Sequence, residues 1–321
     1  MTEQTSHYPI GTPGEAWGAV EKAQWLQAQR VKRSYQAEVL AKLTKLGESC
    51  ELIKYGALPH KIEPSYAEHK KADAYPLFVI KSRVWQSDKP VVLITGGVHG
   101  YETSGVQGAL RFAQTEIEKY QQDFNILIAP CVSPWGYETI NRWNPDAVDP
   151  NRSFTADSPS PEAAQLMAYI ESLAVDIYAH FDLHETTDTD NSEFRPARAA
   201  RDGITQDNWN IPDGFYLVGD TEKPVPAFQK AIIEAVEKVT HIAPPDENGM
   251  IIGAPLEQKG VINYAKTKLG LCGGFSKAPF VTTTEVYPDS PQVDDENCVQ
   301  AQVAAVTGGL DYLLAKESNA E

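Results

Sequence analysis

A helical pattern of apolar side chains opens the sequence, over residues 13–46. The apolar residues recur there at the three- and four-residue spacing of one helical face, at Tyr35, Val39, Leu43 and Leu46. Gly47 follows, and glycine commonly ends a helix because it accepts a left-handed backbone. We therefore predict that residues 1–50 form an N-terminal helical segment that packs on the rest of the chain.

Short strand-like runs farther along the chain predict strands. These runs cover residues 51–56, 75–81, 91–95, 124–129, 175–183 and 280–286. Helical periodicity covers residues 104–119, 162–173, 226–239 and 294–315, and irregular sequence covers residues 130–161 and 187–220. From residue 91 to residue 183 strands and helices alternate, which is typical of parallel strands joined by crossover helices. The pattern predicts a single α/β domain over residues 1–321, with a mixed, mostly parallel central sheet and helices on both faces.

Composition and charge narrow the classes of function. The 321 residues carry a formal net charge of −16, whereas a nucleic-acid surface needs clustered Lys and Arg. The four cysteines lie far apart, so neither a zinc ribbon nor a disulfide framework is indicated. The polar residues 1–10 do not resemble a signal peptide, and no apolar run reaches membrane-spanning length. We expect no nucleic-acid partner, no membrane association and a cytoplasmic location, with export without a cleavable signal left open.

Two predicted strands end in side chains that can bind a metal. His99 and Glu102 form a His-x-x-Glu pair directly after the strand at residues 91–95, and His184 lies at the end of the strand at residues 175–183. Imidazole nitrogen and carboxylate oxygen both bind zinc, and a catalytic zinc site commonly has three protein ligands and one open position. Because ligand sites of such sheets lie at the carboxyl ends of the strands, these three side chains are candidate ligands of one ion.

Several further motifs occur in a fixed order between residues 91 and 287. They are Gly97 to Glu102, Ser133 to Glu138, Asp149 to Arg152, Ser160 to Glu162, His184 and Thr284 with Glu285. In this order they resemble the motifs of the zinc carboxypeptidase superfamily, which includes carboxypeptidases A and B. The superfamily also includes the succinylglutamate desuccinylase and aspartoacylase enzymes. The resemblance implies the fold of this superfamily and the activity of a metallohydrolase.

The resemblance also implies a role for each candidate residue of the catalytic centre. Its zinc ion would be held by His99, Glu102 and His184, and Glu285 would be the general base that takes a proton from the attacking water. Arg142 would stabilise the negative charge that develops on the carbonyl oxygen. Asp149 would accept the remaining N–H of His99 and so fix the orientation of this ring.

Substrate binding is assigned in the same way. Asn151 and Arg152 would hold the terminal carboxylate of the substrate, since a guanidinium can make two parallel hydrogen bonds to a carboxylate. Tyr264, 21 residues before Glu285, approximates the position of the superfamily's substrate-capping tyrosine. Residues 270–274 resemble the small-residue loop of its side-chain pocket.

Three functions are compatible with these residues. The first is a zinc carboxypeptidase that hydrolyses the C-terminal peptide bond of a peptide. The second is a zinc-dependent amidohydrolase that cleaves a small N-acyl amino acid, and the third is a non-catalytic binding protein on the same fold. One zinc ion is expected. A second, co-catalytic ion is the alternative, since His180, Asp182, Glu185, Asp188 and Asp190 lie close to His184 in the sequence.

Overall fold

A computed structural model describes residues 8–46, 50–58 and 75–318. Its strands are β1 (Cys50–Leu58), β2 (Tyr75–Ser82), β3 (Val91–Gly96), β4 (Asn125–Ala129), β5 (Ile177–Glu185), β6 (Tyr216–Asp220), β7 (Met250–Ile251), β8 (Ala254–Pro255), β9 (Val261–Tyr264) and β10 (Phe280–Val286). Its α-helices are α1 (Ala19–Ala28), α2 (Ala41–Leu43), α3 (Thr103–Thr115), α4 (Ile117–Tyr120), α5 (Pro134–Thr139), α6 (Pro161–Ser172), α7 (Arg195–Asp202), α8 (Pro226–Val236), α9 (Cys272–Phe275) and α10 (Asp295–Ser318). Shorter π-helical and 3-10 turns cover Gln36–Leu40, Asp190–Phe194 and Pro150–Arg152.

Eight of these strands form one sheet in the order β1-β2-β4-β3-β5-β10-β6-β9. The central strands β4, β3, β5 and β10 are parallel to one another. Strand β2 runs antiparallel to β4 on one side, and β6 runs antiparallel to β10 on the other. The predicted α/β class and the mixed, mostly parallel sheet are therefore confirmed.

Successive side chains of the central strands enter two different apolar cores. In β3, Val92 and Ile94 pack in a core that also contains residues of α3, α8 and α10. Val91 and Leu93 point to the opposite face, where they share a second core with residues of α6. Both faces of the sheet are covered, which explains why this strand is a continuous apolar run rather than an alternating one.

The N-terminal segment is helical only in parts. Helix α1 ends at Ala28, and the backbone N–H of Lys32 then donates to the carbonyl of Glu138 at 2.7 Å instead of to a helical carbonyl. The prediction of one continuous helix over residues 13–46 is wrong, because backbone N–H groups of this stretch donate to a distant part of the chain instead of to the preceding helical turn. The aromatic side chains of Trp25 and Tyr35 nevertheless lie in the first core, in agreement with a packing role. Gly47 lies outside the described residues.

The two stretches that we expected to be irregular contain regular elements. Residues 130–161 include α5 and the Pro150–Arg152 turn, and residues 187–220 include α7 and β6. Strand β6 is only five residues long, and α7 has few apolar side chains, so neither gives a strong periodic signal.

None of the helices in the described part of the chain has the length and the apolar character that a membrane span requires.

Candidate metal centre and substrate cavity

The three candidate metal ligands meet where β3 and β5 end. These two strands are parallel neighbours, so their carboxyl ends lie at the same edge of the sheet. After β3 the chain turns through Gly97, which has a φ of +60°. It then passes so close to another segment that a Cβ atom on Gly100 would lie 2.1 Å from the carbonyl carbon of Gly136. The two glycines let the chain make this turn.

The donor atoms of His99, Glu102 and His184 are buried and lie within 4.8 Å of one another. Nδ1 of His99 lies 2.7 Å from Oε1 of Glu102, and Nδ1 of His184 lies 2.7 Å from Oε2. This second contact lacks hydrogen-bond geometry, so Oε2 is a buried oxygen with no hydrogen-bond partner. Two nitrogens and one carboxylate aimed at a common point are a donor set that fits zinc, and a bound cation would satisfy Oε2.

Acidic side chains hold the far nitrogens of both imidazoles. Nε2 of His99 lies 3.0 Å from Oδ1 of Asp149, and Nε2 of His184 lies 3.0 Å from Oδ2 of Asp182. If each Nε2 carries the ring hydrogen, each Nδ1 is left with a lone pair for a metal. The geometry agrees with the role expected of Asp149, and it adds Asp182, which the sequence suggested only as a ligand of a second ion.

Glu185, at the end of β5, caps the start of helix α3 beside the candidate ligands, a role that we did not predict. Its carboxylate accepts hydrogen bonds from the backbone N–H groups of Thr103 and Ser104, at 3.1 and 2.5 Å. These groups open the helix that begins directly after Glu102, and such groups have no partner inside a helix. Burial raises the pKa of Glu185 to about 7. No sequence motif predicts this cap, because the capping residue lies on β5, 81 residues from the helix start in the sequence.

Glu285, the proposed general base, lies beside His184. The two residues are register partners on the parallel strands β10 and β5. The hydroxyl of Thr186 donates to Oε2 of Glu285 at 3.0 Å. Burial raises the pKa of this carboxyl to about 8, and a nearby dication would lower it, because positive charge favours the carboxylate.

Arg142 lies at the same cavity, between two carboxylates. Its Nε donates to Oδ2 of Asp149 at 3.1 Å, and its Nη1 lies 3.7 Å from Oδ1 of Asp190. Although burial opposes the charge, Asp149 and Asp190 hold the pKa of Arg142 well above its ordinary value. The side chain is therefore a fixed, permanently charged cation.

Asn151 and Arg152 lie at the cavity wall. The side-chain oxygen of Asn151 accepts a hydrogen bond from the backbone N–H of Cys272 at 2.7 Å, and its amide nitrogen lies 3.4 Å from Nε2 of His184. The amide carries two hydrogens, so one is left for a substrate. Arg152 makes no ion pair with any carboxylate of the described residues; its Nη1 donates to the carbonyl of Asn151 at 2.7 Å. Tyr264, at the end of β9, faces the same cavity.

The residues that we considered for a second ion do not form one group. Glu185 caps α3, Asp188 accepts a hydrogen bond from the hydroxyl of Tyr287 at 2.9 Å, and Asp190 accepts one from the hydroxyl of Tyr101 at 3.0 Å. His180 and Asp182 do lie close together, with Cys272 as a third neighbour.

The hydroxyl of Thr95 occupies the space between these three side chains. It lies 3.0 Å from Nε2 of His180, donates to Oδ1 of Asp182 at 2.6 Å and contacts the sulfur of Cys272 at 3.5 Å. The arrangement is a buried hydrogen-bond network in which the polar atoms are satisfied.

A cavity of about 380 Å³ opens at this edge of the sheet. Its wall includes His99, Glu102, Arg142, Asp149, Asn151, Arg152, Tyr264 and Glu285. Helix α7 adds Arg195, Arg198 and Arg201, which we did not predict because their stretch looked irregular. A chain with a net charge of −16 thus gathers five arginines around one cavity.

Comparison with known proteins gives the same family as the motifs. The zinc carboxypeptidase family model matches residues 68–199, which contain all three candidate ligands. Carboxypeptidase E of Caenorhabditis elegans is 26% identical in an alignment 277 residues long, which covers 76% of this chain and 53% of that protein. The chain thus spans about half the length of this curated relative.

Solved structures share the fold. A candidate metallopeptidase from Shewanella amazonensis matches with a TM-score of 0.62 and 19% identity, over 89% of this chain and 98% of that chain. A metallo-carboxypeptidase from Burkholderia cenocepacia matches with a TM-score of 0.58 and 16% identity, over 88% and 68% of the two chains. Residues 68–199 are therefore similar to the zinc carboxypeptidase family, and the chain shares its fold with these solved structures.

Proposed function

We propose that the chain is a zinc-dependent metallocarboxypeptidase that hydrolyses the C-terminal peptide bond of a peptide. One observation carries the proposal: the proposed base and the carboxylate-binding side chains line one cavity together with His99 and Glu102, and the third candidate ligand, His184, lies beside these two. Such a cavity can hold the terminal residue of a peptide with its scissile carbonyl near the metal centre and its carboxylate near the arginines.

His99, Glu102 and His184 would hold one zinc ion. When bound, the ion supplies Lewis acidity, which activates water and polarises a carbonyl group. Asp149 and Asp182 keep the two imidazoles in the required tautomer and orientation through their contacts with the Nε2 atoms.

Glu285 would move the proton. A carboxylate accepts a proton from the attacking water and can then deliver it to the leaving amine, and its efficiency is greatest when its pKa lies near the working pH. Its position beside His184 puts it next to the proposed reacting atoms. The bond from Thr186 fixes one carboxylate oxygen and leaves the other available.

Arg152 would bind the terminal carboxylate of the substrate, because its guanidinium lacks a carboxylate partner among the described residues and faces the cavity. The second amide hydrogen of Asn151 would add a hydrogen bond. Arg142 would stabilise negative charge on the carbonyl oxygen, since Asp149 and Asp190 already hold it in place. Tyr264 would cover the bound terminal residue.

The alternative, hydrolysis of a small N-acyl amino acid, uses the same groups and differs only in the substrate. Both activities would be measured with blocked dipeptides and N-acyl amino acids, with and without a chelator. A carboxypeptidase releases the terminal amino acid of the dipeptides, loses activity in the chelator and recovers it with zinc. Turnover confined to N-acyl amino acids would reject the carboxypeptidase.

A cytoplasmic location stays a prediction.

A matched pair of variants makes the test specific to the site. Glu285→Gln should reduce kcat by a factor of about 10² to 10⁴. The variant Glu171→Gln changes an exposed glutamate of α6 in the same way and should keep full activity. A Glu285→Gln protein that binds zinc and retains its kcat would contradict the assignment of the base.

A further inference from the structure

A buried lysine lies behind one wall of the cavity and has no role in the mechanism above. The side chain of Lys266 is fully buried, and its ammonium donates a hydrogen bond to the hydroxyl oxygen of Thr283. Within residues 8–46, 50–58 and 75–318, no carboxylate lies within ion-pair distance of this nitrogen. An unpaired buried charge is costly, so its presence in this place calls for a functional explanation.

Thr283 connects Lys266 to the cavity. It lies two residues before Glu285 on strand β10, so the two side chains point to the same face, and both line the cavity. Because the hydroxyl oxygen of Thr283 accepts from Lys266, its own hydrogen is free to be donated to another group. None of the described residues accepts that hydrogen, so it is available to an acceptor in the cavity.

This wall is close to the proposed carboxylate-binding residues. The backbone N–H of Phe154 donates to the carbonyl of Gly270 at 3.0 Å, and Cys272 donates to Asn151 at 2.7 Å. The segment that carries Leu271 is thereby held against the segment that carries Arg152, and both residues line the cavity with Thr283. A terminal residue that spans the metal centre and Arg152 would place its side chain against Leu271 and Thr283.

We propose that Lys266 and Thr283 select a substrate whose C-terminal residue has an acidic side chain. The inference rests on the proposed carboxypeptidase function and names its substrate class. A side-chain carboxylate would accept the Thr283 hydrogen and would lie near the buried ammonium. The negative charges that already act on this ammonium, those of Asp182, Asp220 and Glu285, lie beyond ion-pair distance. The guanidinium of Arg195 lines the same cavity, makes no ion pair with a described carboxylate, and adds positive charge to the cavity.

The test uses four blocked dipeptides that differ only in the terminal residue, which is Glu, Gln, Leu or Lys. They are assayed with the zinc-loaded wild type, Lys266→Met, Thr283→Val and Lys268→Met, an exposed lysine two residues away that serves as control. Wild type should prefer Glu over Gln by at least about 10-fold in kcat/KM, and Lys266→Met should lose about 10- to 100-fold on Glu alone. Thr283→Val should lose about 10-fold on Glu, and Lys268→Met should match wild type.

Two results would overturn the inference. One is a wild type that prefers Leu or Lys, and the other is a Lys266→Met variant that loses equal activity on all four peptides. If Lys266→Met does not fold, the inference is tested by the wild type's order of preference among the four peptides and by the loss of kcat/KM on Glu in Thr283→Val. If no peptide is hydrolysed, the proposed function fails, and titration calorimetry with free L-glutamate and L-glutamine tests the pocket by itself. Tighter binding of glutamate that Lys266→Met abolishes supports an acid-binding pocket, and equal binding rejects it.

Discussion

The imidazole of His99 and the carboxylate of Asp149 are joined through Nε2 and Oδ1, 3.0 Å apart. The same carboxylate accepts a hydrogen bond from Nε of Arg142 and one from the backbone N–H of Asn151. Despite its burial, Arg142 and His99 hold the pKa of Asp149 well below its ordinary value. One charged side chain therefore contacts a proposed metal ligand, the proposed oxyanion-binding arginine and the loop of the proposed carboxylate-binding residues.

From this contact we predict that Asp149→Asn weakens zinc binding by a factor of about 10 to 100, because the ring of His99 loses a charged acceptor. The affinity would be measured by competition with a chelator of known zinc affinity. Asp88→Asn, on an exposed loop, is the control and should bind zinc as wild type does. Unchanged affinity in Asp149→Asn would show that Asp149 does not orient the ligand.

The pH dependence of kcat/KM should report Glu285. A general base acts only when it has lost its proton, so activity should rise with pH through the pKa of this carboxyl. Burial raises that pKa to about 8, and zinc lowers it, so the rise should lie below pH 8. The residual activity of Glu285→Gln should lack this rise. A pH profile that is the same in both proteins would assign the titration to another group.

Lys266→Met should stabilise the folded protein, because an ammonium is no longer buried. Burial lowers the pKa of Lys266 from 10.5 to about 8, and this difference corresponds to about 3 kcal/mol of destabilisation. Below pH 8 the lysine is charged in both states and the full cost is present. The cost falls between pH 8 and pH 10.5, where the folded state loses its proton first, so the gain in the variant should shrink there.

The free energy of unfolding of both proteins, measured by urea denaturation at pH 7 and at pH 9.5, tests this prediction. Lys268→Met is again the control and should unfold as wild type does at both values of pH. A variant that is more stable yet loses its preference for acidic residues would show a functional role. A Lys266→Met protein that is less stable than wild type at pH 7 would instead assign Lys266 to structure.

Glu185→Ala should destabilise the start of helix α3, because the N–H groups of Thr103 and Ser104 lose their acceptor. We expect a decrease of about 1–3 kcal/mol in the free energy of unfolding. Zinc affinity should fall as well, since Glu102 directly precedes this helix. Glu171→Ala, in an exposed position, is the control for the loss of a carboxylate. Normal zinc affinity in Glu185→Ala would show that the helix cap does not affect zinc binding.

The local pattern of the sequence was sufficient for all strands of the central sheet except β6 and β9, and for the candidate ligands. Strand β10 was predicted with its observed bounds, because the valine and threonine residues between Phe280 and Val286 are β-branched and favour a strand. The His-x-x-Glu pair and His184 could be related because each follows a strand, and parallel neighbours end at the same edge of a sheet. These inferences need only short-range order along the chain.

Contacts between distant segments decided the rest. Glu185 caps a helix 81 residues away, Lys266 donates to Thr283, which lies 17 residues farther along the chain, and α7 contributes three arginines to the cavity. Periodicity does not predict such roles, because the sequence does not distinguish a solvated carboxylate or ammonium from a buried one. Its surroundings, and with them its charge and partners, are set only when the chain folds and removes it from water.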